Sequence, residues 1–241
     1  MIRLASYNVH KCVGIDRRRS PERVVAVIAS LGADIVALQE VDHRIGSRPE
    51  ALPRALIARA TQYTVAGHAT GGRSLGWHGQ AILIRPDWPV LYEARIDLPG
   101  LEPRGAILVE IRTHSGPLRV VGVHLGLIRR FRLRQLAAIR KVLARRPEMP
   151  TAIVGDWNEW SLRGGTEPIS DGFHVHAPGP SFPAVRPVAR LDRIAVAGGM
   201  HLHDAGVFVQ GEARVASDHL PIWADIRLGS ADGLSRPGPG G

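Results

Sequence analysis

The sequence predicts a layered α/β protein, and three observations carry that reading. The chain opens on a strand, helix, strand unit. Its middle is a series of Ile, Leu and Val-rich strands separated by Pro/Gly turns. Short polar clusters recur at the ends of the apolar strands.

Residues 2–9 read as a strand. Ser20 then offers an N-cap and Pro21 the first helical position, while Val24, Val25, Ile28 and Leu31 form an apolar stripe closed by Gly32, so a helix follows. Residues 34–39 (DIVALQ) are a mostly apolar buried strand, which completes the order of a crossover unit. A helix is expected over residues 50–60. Strands are predicted over 80–85, 106–112 and 118–125, divided by Leu98-Pro99-Gly100 and Ser115-Gly116-Pro117, and their succession suggests antiparallel pairing. Residues 129–146 read as a basic amphipathic helix, with Leu133, Leu136, Ile139 and Leu143 on one side and Arg130, Arg134, Lys141 and Arg145 on the other. Further strands are expected over 151–155, 191–197 and 222–228. The patterning runs from residue 2 to 228 without a linker-like break or an internal repeat, so one domain is expected over 1–228. Residues 229–241, dominated by Gly, Ser and Pro, read as a disordered tail.

Composition narrows the class. In 241 residues, 44% are hydrophobic and 22% charged, the profile of a chain that buries a core rather than a disordered one. The richest apolar stretch, residues 24–38, carries Gly32 and Asp34, whereas a membrane-spanning helix needs about 20 mostly apolar residues. Ser6-Tyr7-Asn8 interrupts the only apolar N-terminal residues, so no secretory signal is read and a cytoplasmic location is expected. Lone Cys12 cannot form an internal disulfide and reads as a buried thiol. The net charge of +9 is nearly all arginine, because only Lys11 and Lys141 are lysines. Its sign favours phosphate-bearing partners.

Five polar clusters lie at or beside strand ends: Ser6-Tyr7-Asn8, Gln39-Glu40, His124, residues 155–158 (GDWN) and Ser217-Asp218-His219. A sixth, Leu191-Asp192-Arg193, begins a strand. Strand ends are where side chains converge on a rigid frame, so repeated oxygen ligands there point to one site. The chemistry that fits is metal-assisted phosphoester hydrolysis. A hard cation such as Mg²⁺, with Mn²⁺ as the alternative, takes carboxylate and amide oxygens; Glu40, Asn8 and one or two of Asp156, Asp192 and Asp218 supply them. His219 or His124 would manage protons near neutral pH, with Asp192 or another carboxylate fixing a ring orientation.

Taken in order, SYN at 6–8, LQE at 38–40, GVHL at 122–125, GDWN at 155–158, LDRI at 191–194 and SDH at 217–219 resemble the endonuclease/exonuclease/phosphatase superfamily, over nearly the whole of residues 2–228. That group includes pancreatic-type deoxyribonucleases, abasic-site endonucleases, neutral sphingomyelinases and inositol-polyphosphate phosphatases. The resemblance implies a four-layer α/β sandwich of two mixed sheets packed face to face and flanked by helices. It also implies roles: Asn8 and Glu40 on the metal side, Asp218 assisting the metal and neighbouring hydrogen bonds, and Asp156 aligning or deprotonating the attacking water. Asn158 would bind a phosphate oxygen and Asp192 would orient His219, leaving His219 and His124 to bind the scissile phosphate and serve as acid or base. Residues 77–83 resemble a family segment that often has Asn where Gln80 stands, and Glu102-Pro103-Arg104 would present Arg104 toward the phosphate. His10 occupies a place where abasic-site endonucleases usually have Asp, which argues against that specificity.

Other readings of the same residues are weaker. Ser217, Asp218 and His219 do not make a hydrolase triad, because neighbours in an extended segment point to opposite sides. His174 with His176, and His201 with His203, suit a softer metal but have no convincing third ligand, and GDWN lacks the pattern of a calcium loop. Arg129, Arg130 and Arg132 fall in the first turn of the basic helix, where the dipole disfavours cations, and this edge is expected to guide a polyanion. Nucleic acid, DNA or RNA, leads the substrate expectations on charge alone. A phospholipid or inositol phosphate, with an anionic membrane surface as partner, is the alternative, and a noncatalytic phosphate-binding scaffold is the alternative of another class. A nucleic-acid enzyme would offer stacking aromatics among Tyr7, Trp77, Trp157 and Trp160, whereas a lipid enzyme would expose an apolar rim at the Trp77 or Trp160 loops.

Overall fold

The computed structural model describes residues 1–43, 46, 48–66, 73–161 and 163–229. The predicted tail lies, apart from Gly229, outside the described residues. Two six-stranded sheets carry the fold. The first contains β1 (Ile2–Asn8), β2 (Ile35–Gln39), β3 (Thr64–Ala66), β4 (Gln80–Ile84), β11 (Met200–Val207) and β12 (Ile222–Leu228), in the order β11-β12-β1-β2-β4-β3. The second contains β5 (Val90–Leu98), β6 (Arg104–Thr113), β7 (Gly116–His124), β8 (Thr151–Asp156), β9 (His174–His176) and β10 (Asp192–Ala197), in the order β5-β6-β7-β8-β10-β9.

Each sheet is mixed for the same reason. A single helical crossover makes one parallel pair, and every other neighbouring pair is antiparallel. In the first sheet α1 (Pro21–Ser30) joins β1 to parallel β2, and in the second α3 (Arg129–Leu143) joins β7 to parallel β8. α1 starts as its sequence dictates: the Ser20 hydroxyl accepts from the Arg23 N–H at 3.3 Å, Pro21 opens the first turn, and Gly32 takes a φ of 58° just past the end.

Side-chain alternation sorts the core into layers. Ile2 and Leu4, Ile35 and Ala37, and Ile82 and Ile84 face the second sheet. They meet Ile107, Val109, Leu118, Val120, Ala152, Val154 and Ile194 in one apolar layer. The opposite faces pack against helices: Ala5, Tyr7, Val36 and Leu38 against Val24, Val25 and Ile28 of α1 and Leu56 and Ile57 of α2 (Arg54–Ala60), and Val121, Val123 and Ile153 against Leu136 and Ile139 of α3. The result is the four-layer α/β sandwich, helices outside two sheets packed face to face.

Several boundaries differ from the sequence expectation. The helix expected from residue 50 begins at Arg54, because Pro53 holds extended dihedrals at its N-cap and Glu50 pairs in a bridge with Asp42. α3 ends at Leu143, and the following residues turn so that Arg146 reaches Glu110. β3, β5, β9 and β11 were not expected as strands. All four are sheet edges, where only one neighbour and part of one face impose a pattern.

Candidate active site

The apolar face between the sheets turns polar at one end. On β1 the sequence Ile2, Leu4, Ser6, Asn8 occupies one face. Ile35, Ala37, Gln39 does so on β2, Leu118, Val120, Gly122, His124 on β7, Ala152, Val154, Asp156 on β8, and Val196, Ile194, Asp192 on β10. Register then sets the neighbours: Asp156 is directly opposite His124 on one side and Asp192 on the other, and Asn8 is opposite Gln39. Gly155 permits this close approach, since a Cβ there would stand 1.9 Å from the Val123 carbonyl oxygen.

Asp156 is the centre of the cluster. Its Oδ2 accepts from Asn8 Nδ2 at 3.0 Å across the two sheets, and its Oδ1 accepts from the Asn158 N–H at 2.8 Å. His124 Nε2 and His219 Nε2 stand 3.5 and 3.7 Å from Oδ2. Burial pushes the Asp156 carboxyl up; His219 opposes this, and the Asp192 carboxylate adds to it. Asp192 Oδ2 holds His219 Nδ1 at 2.9 Å, so Nε2 faces the cleft. Burial alone would drive the His219 pKa down, but the Asp192 and Asp156 carboxylates override it and the imidazolium is favoured. Asn158 sits at φ 50° with its Nδ2 donating to the Leu125 carbonyl at 2.9 Å.

The other wall is built on left-handed backbone. Glu40 has φ 57°, and His10, Lys11 and Cys12 have φ 46°, 56° and 62° in succession. Each such non-glycine residue costs roughly 1–2 kcal/mol, held here by hydrogen bonds such as Lys11 N–H to the Glu40 carbonyl at 3.0 Å. The Lys11 ammonium pairs with the Glu40 carboxylate. Asn8 Oδ1 accepts from the His10 N–H at 3.1 Å and keeps a second lone pair. Asp218 is the most open carboxylate of the group, its side chain 36% exposed and His10 Nδ1 3.7 Å from its Oδ1. A hard divalent cation that retains several waters fits this wall. The donors are carboxylate and amide oxygens, and the Glu40 carboxylate already faces a positive charge.

The structure thus brings Asn8, Glu40, Arg104, His124, Asp156, Asn158, Asp218 and His219 to the walls of one cleft of about 260 Å³, with Asp192 behind His219. Arg104 is buried and held by Glu102 through two bonds, at 3.0 and 2.6 Å. Gln80 is turned away from the cleft and bonds the Gly105 carbonyl, tying the first sheet to the second beneath Arg104. His174 and His176 on β9 and His201 and His203 on β11 lie on edge strands and do not line this cleft.

Two expectations are corrected. Arg132 does not face solvent: its guanidinium turns back to Glu159 at 2.9 Å and to the Leu127 carbonyl at 2.6 Å, so it serves the fold rather than an external polyanion. Tyr7 and Trp157 are fully buried and have no face for a base. Sequence reasoning also missed three residues. The Ser181 hydroxyl donates to Asp192 Oδ2 at 2.5 Å, the Phe182 ring lies 4.9 Å from the His219 ring, and Lys11 pairs with Glu40. Only contacts across the fold reveal Ser181, eleven residues before Asp192. Lys11, three residues after Asn8, was the one more open to notice.

A family model described as the Endonuclease/Exonuclease/phosphatase family matches residues 5–219. The chain belongs to that family. Its members are in general phosphoester hydrolases, and generally depend on a divalent metal. No curated protein matches the chain. Among solved structures, an endonuclease/exonuclease/phosphatase from Beutenbergia cavernae is 22% identical with a TM-score of 0.74, covering 95% of this chain and 72% of that one. A mannosyl-6-phosphatase from Bacteroides thetaiotaomicron is 17% identical with a TM-score of 0.73, over 95% and 100% of the two chains. The human Nocturnin catalytic domain with bound sulfate is 19% identical with a TM-score of 0.69, over 94% of each. These likenesses show the fold. Among the described residues no helix is long and apolar enough to cross a membrane.

Proposed function

We propose that this chain is a divalent-metal-dependent phosphodiesterase. The observation that carries the reading is the chain of contacts from Asp192 through His219 to Asp156, set against Asn8, Glu40 and Asp218 across the cleft. Asn8, Glu40 and Asp218 would hold Mg²⁺, or Mn²⁺ in its place. When bound, the metal supplies positive charge against the phosphate oxygens and the leaving oxygen.

The residues of the chain do the rest. Asp156, its pKa raised toward neutrality by burial, orients the attacking water and takes its proton as the new O–P bond forms. The His219 imidazolium, fixed by Asp192, and His124 donate to the non-bridging oxygens. They supply the proton that the leaving oxygen needs as its bond to phosphorus breaks. Asn158 and Arg104 hold further phosphate oxygens, Arg104 being pre-set by Glu102.

Two substrate readings follow. Net charge of +9 favours nucleic-acid phosphodiesters. The aliphatic side chains around the cleft favour phospholipid headgroups, and that specific observation keeps this second reading beside the first. The test is a panel at pH 7–8 with Mg²⁺ or chelator: plasmid, single-stranded DNA, RNA, sphingomyelin, phosphatidylglycerol and inositol phosphates. Chelator-sensitive cleavage of one class is expected. Retained phosphate-ligand binding with no cleavage of any would favour the noncatalytic scaffold instead.

A further inference from the structure

Twelve large apolar side chains are exposed among the described residues, and their distribution is uneven. Four of them, Met1, Val90, Leu91 and Tyr92, lie away from the cleft. The other eight stand on loops at the end of the two sheets that carries the site. Leu101, Leu127, Trp160, Val185 and Val188 are each between 64% and 75% exposed. Leu127 and Trp160 line the mouth of the cleft itself, and the Trp160 ring meets Phe182 edge-on at 6.3 Å. Val185 and Val188 tip the turn that follows Phe182, while Leu101 precedes Glu102, which accepts from the Leu127 N–H at 3.2 Å. Eight exposed apolar side chains gathered at the cleft end, two of them lining the cleft, are more than singly scattered exposure and mark this end as a docking surface.

The charge around this rim is positive. Arg130, Arg163 and Arg186 are exposed and have no carboxylate partner among the described residues. The nearby carboxylates of Glu102 and Glu167 are taken by Arg104 and Arg129. Interfaces with nucleic acid are more polar and basic than this mostly aliphatic rim, which offers a single exposed tryptophan for stacking, so it is poorly matched to a nucleic acid. Exposed aliphatics, one interfacial tryptophan and unpaired arginines together match the boundary of an anionic bilayer.

We propose that this rim docks on an anionic phospholipid surface and brings headgroup phosphodiesters to the cleft. Delivery to the cleft rests on the phosphodiesterase reading; docking does not.

The test is co-sedimentation, in chelator and at low salt, with vesicles of phosphatidylcholine alone or mixed with phosphatidylglycerol. Wild type is compared with a Leu101→Ser, Ile128→Ser, Val188→Ser variant and with an Arg130→Ala, Arg186→Ala variant. Wild type is expected to bind mixed vesicles roughly tenfold better than phosphatidylcholine. The apolar variant should lose roughly tenfold on mixed vesicles, and the arginine variant should lose the discrimination between the two. Both should hydrolyse a soluble chromogenic phosphodiester with Mg²⁺ as wild type does. Absence of binding to mixed vesicles, binding unchanged in both variants, or a rim that instead binds single-stranded DNA would overturn the proposal. If the soluble diester is not hydrolysed by wild type, the phosphodiesterase reading fails while the docking result still stands or falls by sedimentation.

Discussion

Two clusters of buried charge sit at opposite ends of the second sheet, and they are built on opposite terms. At the far end, Glu110 accepts from Arg119 Nε at 2.9 Å and from Arg146 Nε and Nη2 at 3.0 and 2.9 Å, and Arg119 also donates to the Pro147 carbonyl at 2.8 Å. At the site end, Asp192 Oδ1 is buried with no partner among the described residues, and the nearest imidazole nitrogens to Asp156 stand beyond ordinary hydrogen-bond distance. A buried charge whose bonding is filled from within locks the fold. Asp156, held at the cleft wall with bonding capacity to spare, is left available to a ligand, and its cost is borne by the rest of the structure.

The contrast is sharpest in paired substitutions. Asp156→Asn is expected to lower kcat by about 10³-fold or more, since it removes the group proposed to take the proton of water. It should leave the melting temperature at or above that of wild type, because it removes one of two crowded buried carboxylates. Glu110→Gln is expected to do the reverse: stability falls by about 3 kcal/mol because two arginines lose their anion, with turnover unchanged. Thermal melts and initial rates on the same samples check both. A large loss of stability in Asp156→Asn would erase the distinction.

A smaller effect follows with pH. Burial alone would push the Glu110 carboxyl up, but bonds from Arg146 and Arg119 hold it below the usual glutamate range. A depressed carboxyl stabilises the fold fully above its unfolded pKa, about 4.3, and the contribution is lost as pH falls through the folded value. The gap in melting temperature between wild type and Glu110→Gln should therefore be constant from pH 6 to 8, shrink below about pH 4.3, and close at lower pH.

The same physics decides what was legible in the sequence. Interior strands are patterned by neighbours on both sides, and β1, β2, β4, β6, β7, β8, β10 and β12 stand near their expected places. The unrecognised strands are the four sheet edges, whose residues answer to solvent as much as to the core. The site followed the interior strands: an apolar alternation that ends in Asn8, His124 or Asp156 is itself a signal, because the polar residue inherits the buried face. Ser181 gives no such signal, lying in an irregular segment and meeting Asp192 only through folding. Arg132 misled for a different reason. Its long stem lets a first-turn arginine fold back onto carbonyls of the segment before its own helix, which no helical projection shows.

The proposed function divides labour across the cleft, with Asn8, Glu40 and Asp218 holding the metal and the cluster of His124, Asp156 and His219 moving protons. The most direct measurement is the initial rate on a soluble phosphodiester as a function of Mg²⁺ in wild type, Glu40→Gln and His219→Ala. The expected result is that Glu40→Gln needs roughly tenfold more Mg²⁺ but recovers much of its rate at saturation. His219→Ala, by contrast, should lose rate by about 10²-fold or more at every Mg²⁺ concentration with no change in the midpoint. A wild-type rate indifferent to chelator, or a midpoint that shifts equally in both variants, would contradict it.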